Sequence, residues 1–114
     1  MKDDRVYLLH IRDAIQNAFD YTAGGESVFL TDSKTRDAVV RTLEVIGEAT
    51  KNMSHKLKNA HPDIPWKQIA GMRDKMIHEY FGVDYRLVWD VVQKNLPPLK
   101  DKINSILGNF PSPQ

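Results

Sequence analysis

Cysteine is missing altogether from the 114 residues, which removes disulfides and thiolate-held metals from consideration. No apolar run approaches the ~20 residues that a membrane-spanning helix needs. The charged opening Met1-Lys2-Asp3-Asp4-Arg5 has no signal-type apolar stretch behind it, so a cytoplasmic protein is expected. Alternating apolar and polar runs are absent, and so are Asn-Gly hairpin turns, which argues against strands. There is no glycine-rich phosphate loop, no His-Glu-x-x-His pair and no Gly-x-Ser-x-Gly elbow. A net charge of +1 points neither toward nucleic acid nor away from it. What remains, 41% hydrophobic and 27% charged residues, is the composition of one globular domain over 1–114. Residues 108–114, with Pro111 and Pro113, read as a frayed tail.

Helical periodicity fills most of the chain. Leu8, Ile11, Ile15, Ala18 and Phe19 recur at three- and four-residue spacings and predict a first helix over 5–22, stopped by Gly24-Gly25. Ser27 to Leu30 is a short apolar bridge without an assignable structure. A second helix, capped by Asp32 or Ser33, is expected to run to about Asn59. Its seam Val39, Leu43, Ile46, Thr50, Met53 and Leu57 steps alternately by four and three. Small or apolar residues flank that seam, so the helix is either central to a bundle or part of an oligomer interface.

After His61-Pro62-Asp63-Ile64, Pro65 suits a first helical position and Trp66 a packing anchor. Ile69, Met72, Met76 and Tyr80 then share one helical face up to a capping Gly82. Asp84 caps a last helix striped by Val88, Val92, Leu96, Leu99, Ile103 and Ile106. Pro97-Pro98 must break it into two pieces at an angle, since an interior proline removes a hydrogen bond and clashes with the preceding turn. The expected fold is all-α, an antiparallel four-helix bundle with the last helix broken at Pro97-Pro98.

A carboxylate-bridged metal bundle needs a histidine three residues after a glutamate. After Glu26, Glu44, Glu48 and Glu79 that position holds Phe29, Gly47, Lys51 and Gly82. Neither a metal nor a cofactor is therefore expected. Charge is unevenly spread: residues 51 to 75 hold six cations against Asp63 and Asp74, an excess of +4 that leaves −3 elsewhere. A solvated helix face is the ordinary account of such a bias.

The stretch Met72-Arg73-Asp74-Lys75-Met76-Ile77-His78-Glu79-Tyr80 carries the chemistry. It combines a fixed cation, a group titrating near neutral pH and a phenol. Carbonyls at a helix C-terminus favour the imidazolium of His78, while Arg73 can hold a phosphate through two parallel hydrogen bonds. RNA brings its own nucleophile in the 2′-hydroxyl, so cleavage to a cyclic phosphate needs no metal. In an ideal helix, however, His78 lies about 140° round from Arg73 at ~100° per residue. Either the helix end unwinds near Gly82, or two copies face each other across a shared cleft. Taken singly, Arg73 and His78 suit surface charges and Tyr80 suits a core position.

Arg73-x-x-x-x-His78-x-Tyr80 resembles the Arg-x4-His-x-Tyr signature of the HEPN superfamily, and specifically its HepT-like toxins. The resemblance extends through Tyr7-Leu8-Leu9-His10-Ile11, Ile46-Gly47-Glu48-Ala49, the run from Ile64 to Tyr80, Val88-Trp89 and Leu96-Pro97. It implies Arg73 and His78 as a ribonuclease pair with Asp74 in support. It also implies Tyr80 as the hydroxyl to which a cognate minimal nucleotidyltransferase antitoxin transfers AMP, and a homodimer whose two motifs line one groove. Two functions follow: a metal-independent RNase toxin of a type VII-like pair acting on tRNA or mRNA, or a non-catalytic HEPN partner of a nucleotidyltransferase. Glu48 is a further candidate, with a solvent-side pair to Lys51 as its ordinary role.

Overall fold

The computed structural model describes residues 3–78 and 84–110, apart from the side chains of Arg73 and of 75–78. Every regular element among the described residues is helical. Helix α1 spans Asp4–Tyr21, α2 Glu26–Thr31, α3 Ser33–Asn52, α4 His55–Ala60 and α5 Trp66–His78. Helix α6 covers Tyr85–Asp90 and passes through a π-helical turn, Val91–Asn95, into α7 at Leu96–Gly108.

Local chemistry accounts for the helix ends. The Asp3 carboxylate accepts from Arg5 N at 2.6 Å and starts α1. At its other end the Thr22 hydroxyl donates back to the Ala18 carbonyl at 2.8 Å, and Gly25 turns the chain at φ 98°, a conformation that only glycine adopts without strain. The unassigned bridge is the short helix α2, whose Phe29 is fully buried against Tyr85 and Trp89. Tertiary burial rather than local propensity makes this segment helical.

The core follows the seam. Leu8, Ile11, Ile15 and Ala18 of α1 meet Val39, Leu43 and Ile46 of α3, all essentially solvent-free, and each large aliphatic side chain so buried contributes about 1.5–3 kcal/mol. Helix α1 is antiparallel to α3, because Asp4 at its start accepts from both Ser54 N (2.8 Å) and Ser54 Oγ (2.6 Å) just beyond the end of α3. Helix α5 packs on another side of α3, and a Cβ on Gly47 would sit 3.4 Å from the Ala70 carbonyl oxygen. Helix α7 lies along α1, where the Lys100 ammonium binds Gln16 Oε1 and rests over the Phe19 ring.

Two expectations need correction. The second helix does not reach Asn59: Met53 is extended at ψ 152° and buried, and Ser54 caps a separate α4 by accepting from Leu57 N at 3.1 Å. The physical reason is the Ser54–Asp4 contact together with this cap, since both hold Ser54 outside a helix. The last helix is, as expected, two consecutive α-helical pieces, α6 and α7, but they join through a π turn at Val91–Asn95 just ahead of Pro97-Pro98. Leu96 N donates to the Val91 carbonyl, the five-residue spacing of a π turn, and the prolines fall in the first turn of α7. A widened turn just ahead of the prolines satisfies the backbone that an α-turn would leave clashing, and Asn95 and Leu96 keep right-handed helical angles.

Two outcomes follow for stability. Gly47→Leu should lower unfolding free energy by about 1–3 kcal/mol by overpacking the α3–α5 contact, whereas Gly47→Ala should be tolerated; chemical denaturation distinguishes them. Asp32, capping α3, has its carboxyl held below the usual 3.8, first by the Thr35 hydroxyl and then by the Lys34 amide. A depressed folded pKa gives stability that is present above the unfolded value and lost as pH falls through the folded one. Asp32→Asn should therefore flatten the loss of stability below about pH 4, read from thermal melts across pH.

Candidate active site

The motif helix α5 is placed from its first residue. Trp66 is buried, and its Nε1 donates to the carbonyls of His61 (3.0 Å) and Lys58 (3.2 Å) at the end of α4. Helix α4 is itself held to α3 where Lys58 Nζ donates to the Thr50 carbonyl at 3.1 Å. Pro65 stands just ahead of the helix and its carbonyl accepts from Ile69 N at 3.0 Å, so the helix starts at Trp66, one residue later than expected. From there α5 runs back along α3, with Ala70 against Gly47 and Ile69 buried. At ~1.5 Å per residue, Arg73 and His78 lie about 4.5 and 12 Å farther along the axis than Ala70, toward the N-terminal half of α3.

Arg73, Asp74 and His78 all belong to α5, which ends at His78. Asp74 is exposed. The side chains of Arg73 and His78, and the whole of Tyr80 and Gly82, lie outside the described residues. A helical backbone through both positions keeps the offset of about 140° between Arg73 and His78. Glu48 is exposed, its main-chain carbonyl accepts from Asn52 Nδ2 at 2.9 Å, and it makes no ion pair with Lys51 among the described residues. The chain resumes at Asp84, whose Oδ1 accepts from Leu87 N and caps α6 as expected.

Two features escaped the sequence. Arg36 of α3 donates from Nη1 to the Leu30 carbonyl at 2.8 Å and lies 4.5 Å from the centre of the Tyr85 ring, holding the first residues after 79–83 to the start of α3. A groove of about 530 Å³ separates α5 from the α6–α7 helix and is lined by Pro65, Gln68, Met72, Leu87, Asn95 and Pro98 among others. No local pattern signals either one, because each joins residues distant in sequence. Among the described residues no group of three or more His, Cys, Asp or Glu stands ready to hold a metal, and no helix is long and apolar enough to cross a membrane.

Comparison with known proteins decides the family. The model of the family described as "Ribonuclease HepT-like" matches residues 11–106. The chain belongs to the HepT-like ribonuclease family. A Thermococcus cleftensis protein named "probable ribonuclease HepT" is 46% identical over 88% of this chain and 92% of its own length. A protein of Caldanaerobacter subterraneus subsp. tengcongensis named "Putative RNase" is 44% identical over 94% of this chain and 96% of its own length. A Methanocaldococcus jannaschii protein named "Gamma-glutamylcyclotransferase and putative RNase" is 44% identical over 93% of this chain, which spans 48% of that relative. No solved structure matches. The HepT-like match includes the whole of α5 and the 79–83 segment, so the Arg73-to-Tyr80 motif lies inside the family's own bounds.

Since Trp66 ties the start of the HepT-like motif helix to α4, Trp66→Phe should remove the one indole N–H shared between the His61 and Lys58 carbonyls while preserving part of the buried ring. A loss of about 1–2 kcal/mol in denaturant unfolding is expected.

Proposed function

We propose that the chain is a metal-independent endoribonuclease toxin of a type VII-like toxin–antitoxin pair, acting on tRNA or mRNA. The observation that carries this reading is the complete Arg73-x4-His78-x-Tyr80 signature on the last turns of α5 and just beyond it, inside a HepT-like match over residues 11–106. Relatives named as RNases over nearly their full length support it.

In the proposed reaction the substrate's own 2′-oxygen attacks the adjacent phosphorus, the P–O5′ bond breaks, and a 2′,3′-cyclic phosphate and a 5′-hydroxyl are formed. A base takes the 2′-proton and an acid gives a proton to the leaving 5′-oxygen; His78 serves one of these roles and Arg73 neutralises the pentacoordinate phosphate. Asp74 supports the arginine. One helix cannot aim Arg73 and His78 at one phosphorus across about 140°. The chain is therefore taken as a single domain arranged as an antiparallel four-helix bundle, which forms a homodimer whose two motifs share a groove. That arrangement supplies two imidazoles, one for each proton transfer. Transfer of AMP by a cognate minimal nucleotidyltransferase to the Tyr80 hydroxyl places a bulky anion at the groove and repels RNA.

In EDTA, unmodified protein should cut RNA and leave cyclic phosphate ends. His78→Ala and Arg73→Ala should each lower the rate by about 10²–10⁴-fold with the fold intact by circular dichroism. Folded, unmodified protein that cuts neither tRNA nor mRNA would instead support the non-catalytic partner of a nucleotidyltransferase.

A further inference from the structure

Four of the six cations between residues 51 and 75, namely Lys51, Lys56, Lys58 and Lys67, are gathered by the fold at one end of the molecule. Lys51 sits in the last turn of α3, Lys56 on α4 and Lys67 in the first turn of α5. The Lys58 bond to Thr50 ties α4 to the end of α3, and the Trp66 bonds tie the start of α5 to α4. Three lysines separated by up to sixteen positions in sequence are thereby held on neighbouring segments. All three are exposed, and none has an ion-pair partner among the described residues.

The acidic groups at this end are bonded within the fold but keep their charge. Asp3 accepts from Arg5 N, Asp4 binds Ser54 through both oxygens, and Asp63 lies 3.5 Å from Lys102 Nζ. With Glu48, one turn before Lys51, these four carboxylates stand against Arg5, Lys51, Lys56, Lys58, Lys67 and Lys102, so this end keeps an excess of +2. Lys67 and His78 are eleven residues apart on α5, or about 17 Å along its axis, which places the lysine end roughly that far from the motif.

We propose that Lys51, Lys56 and Lys67 form a phosphate-binding track that holds single-stranded RNA running beyond the cleavage motif. The proposal rests on the ribonuclease reading above for the identity of its polyanion. Such a track contacts the backbone without reading bases, as basic grooves for single strands do. It makes longer RNA a better substrate than a short oligonucleotide that reaches only the motif.

The test uses the triple variant Lys51→Ala/Lys56→Ala/Lys67→Ala, with Lys34→Ala, at the opposite end of α3, as the control. Binding of an unstructured 20-nucleotide RNA is measured on the His78→Ala background across salt concentrations, and cleavage of 20- and 4-nucleotide RNAs on the active background. The triple variant should bind the long RNA about tenfold more weakly at low salt, and its log K against log salt slope should be shallower by about 2, at ~0.7 for each phosphate no longer neutralised. Its KM should rise for the long RNA far more than for the short one, and Lys34→Ala should match the parent protein. An unchanged salt slope, or equal losses on both RNA lengths, would overturn the track. Because binding is read on a protein unable to cut, weakened binding by the triple variant supports the track even if the parent protein proves to cleave nothing, an outcome that would count against the ribonuclease reading alone.

Discussion

Gly47 and Ala70 approach so closely that a methyl group on the glycine would be in van der Waals contact with the opposing carbonyl. That contact leaves room for a methyl group and for little more between α5 and α3, and α3 organises the rest: α1 packs antiparallel on one side of it, α5 on another, and Phe29, Tyr85 and Trp89 gather near its start. The motif helix is therefore a layer of the core, fixed at its beginning by Trp66 and packed along α3 through the buried Ile69 and the Gly47–Ala70 contact. Its last turns carry Arg73 and His78. A nuclease that works by positioning groups around a phosphate needs such a rigid support, because misplacement by an ångström is costly in rate.

Capping at Ser54 shows how local and distant chemistry combine. Its hydroxyl accepts from Leu57 N and donates to Asp4, fifty residues away. One side chain thus starts α4, ends the reach of α3 and pins the N-terminus of α1. The turn it creates also brings Lys56 and Lys67 to the end of the molecule where Lys51 sits, so the charge distribution and the backbone break share a cause.

Much of the fold was legible in the sequence, because burial has a period. Val39, Leu43, Ile46, Thr50 and Met53 were expected to share a seam and all are buried; Trp66 was expected as an anchor and Asp84 as a cap, and both serve so. The boundary at Met53–Ser54 was not legible, since the heptad step continues to Leu57 and the group that holds Ser54 out of the helix is Asp4. Helix α2 was missed because six residues carry too few turns to show a period, and Phe29 becomes informative only once its partners are known. Pro97-Pro98 marked the division of the last stretch into two helical pieces, but the join is a π turn lying just ahead of them, which propensity alone does not show. The candidate site was legible only as a motif, through family resemblance, because spacing by itself sets Arg73 and His78 on different faces of α5. Arg36 over Tyr85 and the groove beside Met72 join distant segments and left no local signal.

The central claim is that the substrate's 2′-hydroxyl does the attacking, with Arg73 and His78 arranged around the phosphate. The most direct measurement replaces the single nucleotide 5′ to a mapped cleavage position by its 2′-deoxy analogue in an otherwise unchanged RNA. The account predicts that cutting stops at that bond while other bonds in the same molecule are still cleaved to cyclic phosphates. Continued cutting there, with a 5′-phosphate on the downstream fragment, would mean that water is the nucleophile and would contradict it.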